Sequence, residues 1–483
     1  MTATQKPNGV LYHRQGIRIL RVWGTPEEMG YAHGYLLAPE IIDGVSELVG
    51  LGGKQYEKVL RACQKRLVAP AWAKQEAAGI LDGLRAALSA KKRVIRGLKR
   101  EITLLDLWAV NTYSEWNGLG CSSASAWGTM TQTGHTLLAR NLDYMPFKTC
   151  TSNHVAIARN PKGGTKWVSF AWPGALGCYS GFSGKGVAAM VHDAWACTNK
   201  RNRKYVSRQI TFQALLQDLD NGSRFTSNAA DLLRRYPTIR GSSLHVAGRK
   251  GTCVLEYDDD RTHDEGVTRR LPDVGQHWMA CTNSFQAREK QGDCMRMTLL
   301  STAMQELDQY TSAVDPNDRL DMQDMWDLIG EVGNAITLQT LVIDTSSLEV
   351  MVGLADRNCP AHEKKPVKLA WRDFWTAKDD GTKPTVRRPK GESWLRRTLG
   401  GGVSGSLRDL VGPLEEGREV HRELLQGTPA PKGAATRTPA SVPSIYHDDF
   451  AESANPSPRQ DEQWRDDGWD EYAEFLDRQR EDE

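Results

Sequence analysis

The chain has almost no net charge, no long apolar run and no paired-cysteine motif, and each shortage removes a class of function. Its 62 Lys and Arg against 60 Asp and Glu leave +2 over 483 residues. That balance gives no general pull toward nucleic acid or an anionic membrane. The clusters Lys91-Lys92-Arg93 and Lys200 to Lys204 are local and read as solvated faces rather than phosphate tracks. No stretch approaches the ~20 apolar residues of a bilayer span. Met1 to Lys6 lacks the apolar run of a secretory signal, so a cytoplasmic protein is expected. The nine cysteines include no Cys-x-x-Cys and no zinc spacing, and an odd number argues against a complete disulfide framework. Neither a metal nor a cofactor is expected. Gly181-Phe182-Ser183-Gly184-Lys185 lacks the final glycine of a nucleophile elbow, and no strand-to-helix transition surrounds it.

What the chain does have is Gly118-Leu119-Gly120-Cys121-Ser122-Ser123, followed by Arg140-Asn141-Leu142-Asp143-Tyr144. A cysteine opening a strand is by default a small buried residue. A cysteine released by cleavage of the Gly120–Cys121 bond is different, because it carries a thiol and an α-amine together. That amine titrates near ~7.7, against ~10.4 for lysine, and so serves the thiol as its own general base near neutral pH. After Cys121 the residues alternate up to the turn Thr131-Gln132-Thr133-Gly134, with Cys121, Ser123, Ser125 and Trp127 on one side. A return strand runs from His135 through Arg140. Such a hairpin brings Arg140 and Asp143 back to Cys121 although they lie 19 and 22 residues later. Arg140 would hold the thiol as thiolate, and Asp143 would accept a hydrogen bond from the α-amine. A surface ion pair at a strand end is the plainer alternative.

These residues resemble the N-terminal-nucleophile cysteine hydrolases, and within them the acyl-coenzyme A:6-aminopenicillanic acid acyltransferase-like group. Acid ceramidase, bile salt hydrolase and the phospholipase B-like proteins are more distant relatives. Gly24-Thr25-Pro26-Glu27-Glu28-Met29-Gly30-Tyr31-Ala32-His33-Gly34 is similar to the signature that opens the propeptide region of the group. The Gly-Cys junction, the Arg-Asn-Leu-Asp-Tyr block, a Gly-rich hairpin at Ser180 to Gly186, and Thr282-Asn283 with Arg296 13 residues later follow in the same order. The resemblance covers about residues 10 to 370. It implies that Gly120–Cys121 is the cleavage site and that Cys121 attacks the substrate carbonyl through sulfur. Asn283 would point its amide N–H into the oxyanion hole, and Arg296 would anchor Asp143 or the substrate. His192 stands where relatives often place asparagine; its backbone N–H would be the second oxyanion donor and its imidazole, like Tyr144, would face substrate. A strand-terminating turn for Asn283 and a structural histidine at 192 are the alternatives.

Thr25-Pro26-Glu27-Glu28 is a capping box with proline at the first helical position, which predicts a helix through Tyr31, Leu36, Ile41 and Val45. Apolar spacing recurs at Leu60 to Leu88 and Ile102 to Tyr113, so the first quarter reads as mostly helical. From Cys121 to about Leu354 strands dominate, interrupted by helical patterns such as Ile210 to Leu219 and Met295 to Leu307. The fold class is α+β, and the resemblance implies the four-layer αββα sandwich. Three segments follow: 1–120, a helical propeptide or α-chain; 121–375, the catalytic β-chain core, forming one domain with the first; and 376–483, a low-complexity tail read as disordered. The acidic, aromatic stretch Asp461 to Glu483 is either a solubilising terminus or a segment that folds on a protein partner. The leading function is self-processing hydrolysis or acyl transfer on a small N-acyl or peptide-like amide, with acyl-coenzyme A as a further partner. A phospholipase B-like esterase and an unprocessed interaction protein acting through the tail are the alternatives.

Overall fold

The computed structural model describes residues 6–194, 204–288, 294–312 and 314–377. The tail after 377, Cys197 and most of the loop from Thr198 to Val206 lie outside the described residues.

Two large sheets carry the molecule. The first has nine strands side by side in chain order: Gly9–Arg14, Ile17–Gly24, Val155–Pro161, Trp167–Ala171, Ser180–Ser183, Ala188–Asp193, Ser242–Gly248, Gly251–Tyr257 and Val267–Arg270. The pair Ile17–Gly24 and Val155–Pro161 is parallel, with Leu20 opposite Ile157. A parallel pair needs a long crossover, and this one contains the N-terminal helices and the cysteine hairpin. The second sheet runs in the order Trp278–Cys281, Gly120–Ala126, Leu137–Asp143, Thr337–Asp344, Glu349–Leu354 and Val367–Ala370.

Period-two alternation sorts each strand between two cores. Ile19, Ala156, Phe170 and Met190 of the first sheet meet Leu138, Leu341 and Ile343 of the second. Their chain neighbours Leu20, Val155 and Ile157 pack outward on Ile41, Val45 and Ile80 of the N-terminal helices. Ala189 and Val191 pack outward on Phe212, Leu215 and Leu216. On the far side, Ala124, Ala139 and Val342 bury Leu300, Met304 and Leu328 of the helices Met295–Thr311 and Met322–Glu331. The order is helix, sheet, sheet, helix, the four-layer αββα sandwich.

Three expectations for the first quarter need correction. Two strands, Gly9–Arg14 and Ile17–Gly24, precede the helices. The helix starting at Pro26 has its capping box, with Thr25 and Glu28 reciprocally bonded, but it ends at Leu36. A second helix begins at Ala38, with proline in its first turn and Leu37 outside helical geometry (φ −119, ψ 22). Pro39 has no N–H to continue the first helix, and its ring crowds the preceding turn. Similarly, the Leu60 to Leu88 pattern divides around Pro70, where the helix Ala71–Ala87 starts.

The helices Pro26–Leu36 and Ala71–Ala87 approach at backbone distance. A Cβ on Gly30 would lie 2.0 Å from the Glu76 carbonyl oxygen, and one on Gly79 would lie 2.2 Å from that of Glu27. Gly34 and Gly83 repeat the arrangement one turn on.

Candidate active site

The hairpin that carries Cys121 closes where glycine and threonine predict it. Gly128 and Gly134 adopt positive φ (61° and 69°), a region that costs glycine little. The resulting register sets Cys121 opposite Leu142, Ser123 opposite Arg140 and Gly120 opposite Asp143. Cys121 and Arg140 therefore share the face turned toward the other sheet, and Arg140 Nη2 lies 2.9 Å from Cys121 Sγ. Nη1 of the same guanidinium is fixed by the Tyr179 carbonyl and by Ser180 Oγ at 2.9 Å. The thiol is fully buried. Burial pushes its pKa up, and the Arg140 charge opposes that shift.

Asp143 belongs to the opposite face, because the pleat alternates. Its carboxylate receives Arg296 Nη1 at 3.2 Å and Thr337 Oγ1 at 2.6 Å. Burial raises its pKa against the pull of Arg296. In the unbroken chain Cys121 carries a main-chain N–H in place of the α-amine expected to bond Asp143. That N–H donates to Asn283 Oδ1 at 2.8 Å. Asn283 is brought there by the strand Trp278–Cys281, whose Cys281 pairs with Ser123, so that two residues further on the chain lies beside Cys121. Its Nδ2 donates to the Leu119 carbonyl at 2.8 Å and the Asp193 carbonyl at 2.9 Å, and it is thereby committed to main chain while the chain is unbroken. Arg296 completes the group by donating to the Cys121 carbonyl at 3.1 Å and Asn283 Oδ1 at 2.9 Å.

His192 is fully buried on the inner face, and neither ring nitrogen has a hydrogen-bond partner among the described residues. Burial, reinforced by the Arg140 charge, drives its pKa well down, so the ring is neutral. Tyr144 edges onto Phe147 at a centroid distance of 5.8 Å in the wall of a cavity. The cavity holds about 940 Å³ including its mouth, and its wall is mostly apolar, with Ile41, Val45, Leu107, Phe147 and Trp172. Leu119 and Tyr179 also line it, so the segment that ends at Gly120 contributes to the cavity wall.

Sequence reasoning missed a second buried cluster beside the junction. Asp193, fully buried, takes Arg208 at 2.6 Å and Arg240 at 2.7 Å on one oxygen. Its other oxygen accepts the Leu119 N–H at 2.9 Å. The three charges lie 15 and 47 residues apart in sequence and follow no local pattern that would flag them. No group of three or more His, Cys, Asp or Glu suited to a metal ion occurs among the described residues. No described helix is long and apolar enough to cross a membrane.

No protein-family model matches the chain. An uncharacterized protein of Archaeoglobus fulgidus is 22% identical over 294 residues, which are 56% of this chain and 49% of that protein. The chain thus spans about half the length of the curated relative it matches. Among solved structures, a Caenorhabditis elegans ortholog of N-acylethanolamine-hydrolyzing acid amidase is similar at 18% identity and TM-score 0.36, over 47% of this chain and 93% of that one. A variant of conjugated bile acid hydrolase from Clostridium perfringens gives 11% and 0.37, over 56% and 98%. Penicillin V acylase from Agrobacterium tumefaciens gives 13% and 0.35, over 52% and 86%.

Proposed function

We propose that the chain is a self-processing cysteine amidohydrolase whose nucleophile is Cys121, acting on a small amide with an apolar acyl group. The observation that carries this reading is the Cys121 thiol, 2.9 Å from a buried guanidinium, at a Gly-Cys junction whose preceding residue lines an apolar cavity. In processing, Sγ attacks the Gly120 carbonyl carbon, the C–N bond breaks, and the thiol proton passes to the departing Cys121 nitrogen. That break leaves an α-amine on Cys121, and water then hydrolyses the thioester to a Gly120 carboxylate and the free Cys121 thiol.

That amine takes over as base, held by Asn283 Oδ1, the group that already accepts its N–H. Departure of Leu119 removes one acceptor of Asn283 Nδ2 and frees that N–H, which becomes a donor to the substrate oxyanion. One such donor is worth roughly 3 to 4 kcal/mol in the transition state. The roles divide accordingly. Arg140 stabilises thiolate; Asp143 and Arg296 position Asn283 and the Cys121 main chain; the neutral His192 ring and Tyr144 face the bound amide. The acyl-enzyme is resolved by water, or by an amine acceptor in the transferase form of the reaction, for which acyl-coenzyme A would serve as acyl donor.

An apolar cavity also suits an ester, so the test uses both. Purified protein is assayed on N-acyl amides of increasing acyl length and on the matching esters, with Cys121→Ala as control. Amide hydrolysis that rises with acyl length and vanishes in Cys121→Ala is expected. Cleavage of esters alone would move the protein to the phospholipase B-like reading, and activity persisting in Cys121→Ala would remove the nucleophile.

A further inference from the structure

The main chain on both sides of Gly120 is gripped by buried side chains. Downstream, the Cys121 N–H goes to Asn283 and its carbonyl to Arg296. Upstream, the Leu119 N–H goes to Asp193 and its carbonyl to Asn283. The grip extends further back. Arg208 Nη2 donates to the Ser114 carbonyl at 2.8 Å, Arg240 Nη1 to the Glu115 carbonyl at 3.3 Å, and the Arg208 N–H to the Glu115 carboxylate at 3.0 Å. Asp193 sits at the centre, holding both arginines with one oxygen and Leu119 with the other.

We infer that Asp193, Arg208 and Arg240 form a clamp that positions the Gly120 carbonyl for attack by Cys121, which makes them positioning residues for self-cleavage. The inference rests on the self-processing reading above. Its physical content is orientational. None of the three touches the thiol in the contacts above, yet together they fix Ser114, Glu115 and Leu119, and misplacing a reacting atom by about 1 Å can cost about 10²-fold in rate. A buried charge cluster is a poor source of net stability, but it suits this work: each charge has few alternative partners, so the main chain it binds has one low-energy path. The Gly118 turn, at φ +73, lies inside the clamped stretch and lets it double back toward the strand. Once the bond is cut and the segment withdraws, the three side chains have no further part in turnover; only the main-chain carbonyl of Asp193, which substitution of its side chain retains, still accepts from Asn283 Nδ2.

The test follows the appearance of the two fragments in full-length protein, for the parent, Asp193→Asn, Arg240→Lys and Arg240→Met, alongside the amide turnover of the matured fraction. Cleavage slowed at least tenfold in Asp193→Asn and Arg240→Met, with Arg240→Lys intermediate and matured fractions turning over within about twofold of the parent, is the expected result. Equal loss of cleavage and turnover would make the cluster structural and overturn the clamp. If Asp193→Asn does not fold, the Lys and Met variants of Arg240 decide between these outcomes. Variants that cleave at the parental rate overturn the clamp and leave self-processing standing. A parent that does not cleave overturns both, which separates the two failures.

Discussion

At Glu115, Cys121, Asp143 and His192 burial sets the direction of the pKa shift and charged partners come second. Glu115 shows the consequence most cleanly. Burial pushes its carboxyl up to about 7 against the opposing pull of Arg208. An unfolded glutamate titrates near ~4.3, so between that value and about 7 the folded chain binds more protons than the unfolded one. Stability then falls as pH rises through this window and levels off above it. Glu115→Gln keeps the acceptor for the Arg208 N–H and removes the charge. Chemical denaturation at pH 4.5 and pH 8 should show the variant gaining on the parent by about 2–3 kcal/mol between the two, at ~1.4 kcal/mol per pKa unit. Stability curves parallel in pH would mean that the carboxylate is ionised and fully compensated. The same dominance of burial explains His33, whose pKa falls to about 3 and whose neutral Nε2 accepts the Gly174 N–H at 2.9 Å.

Elements, rather than residues, decide which of these groups meet. The crossing of Pro26–Leu36 with Ala71–Ala87 depends on Gly30, Gly34, Gly79 and Gly83 offering no Cβ. Gly30→Ala would drive a methyl into the Glu76 backbone, and Glu76 carries the buried ion pair to Arg159 at 2.9 Å. Overpacking of this kind costs about 1–3 kcal/mol. A thermal melt should fall by several degrees, and an unchanged melting temperature would show that the helices separate without penalty.

Legibility in the sequence follows the range of the interaction. The hairpin of Cys121 and Arg140 was readable because alternation and a glycine turn fix its register locally. The capping box at Thr25 was readable for the same reason, and Pro39 carried the signal of the helix break that apolar spacing alone overran. Asp143 could be placed beside Cys121 but not assigned a face without the register that pairs it with Gly120. The partners of Asn283, and the meeting of Asp193 with Arg208, Arg240 and Leu119, depend on strands and loops from separate parts of the chain. No periodicity records such a meeting. The first two strands pair with each other across the two-residue turn Gln15-Gly16, both at positive φ (48° and 79°), a local signal that sequence reasoning missed; only the second partner of Ile17–Gly24, the strand Val155–Pro161, is distant.

At the scale of the whole molecule, residues 6–120 share their sheet and core with the chain that follows. Their two strands extend the nine-stranded sheet, and their helices share a core with Val155, Ile157 and Ala171. Cutting after Gly120 therefore leaves both pieces in one fold, and only the short stretch next to the cut has reason to move. The most direct measurement is mass analysis of purified full-length protein under native and denaturing conditions. Fragments of 120 and 363 residues from the 483, the larger beginning with Cys121, should separate on denaturation and travel as one particle natively. Full-length chain as the sole species in a preparation that hydrolyses amides would contradict self-processing and remove the α-amine of Cys121 from the mechanism.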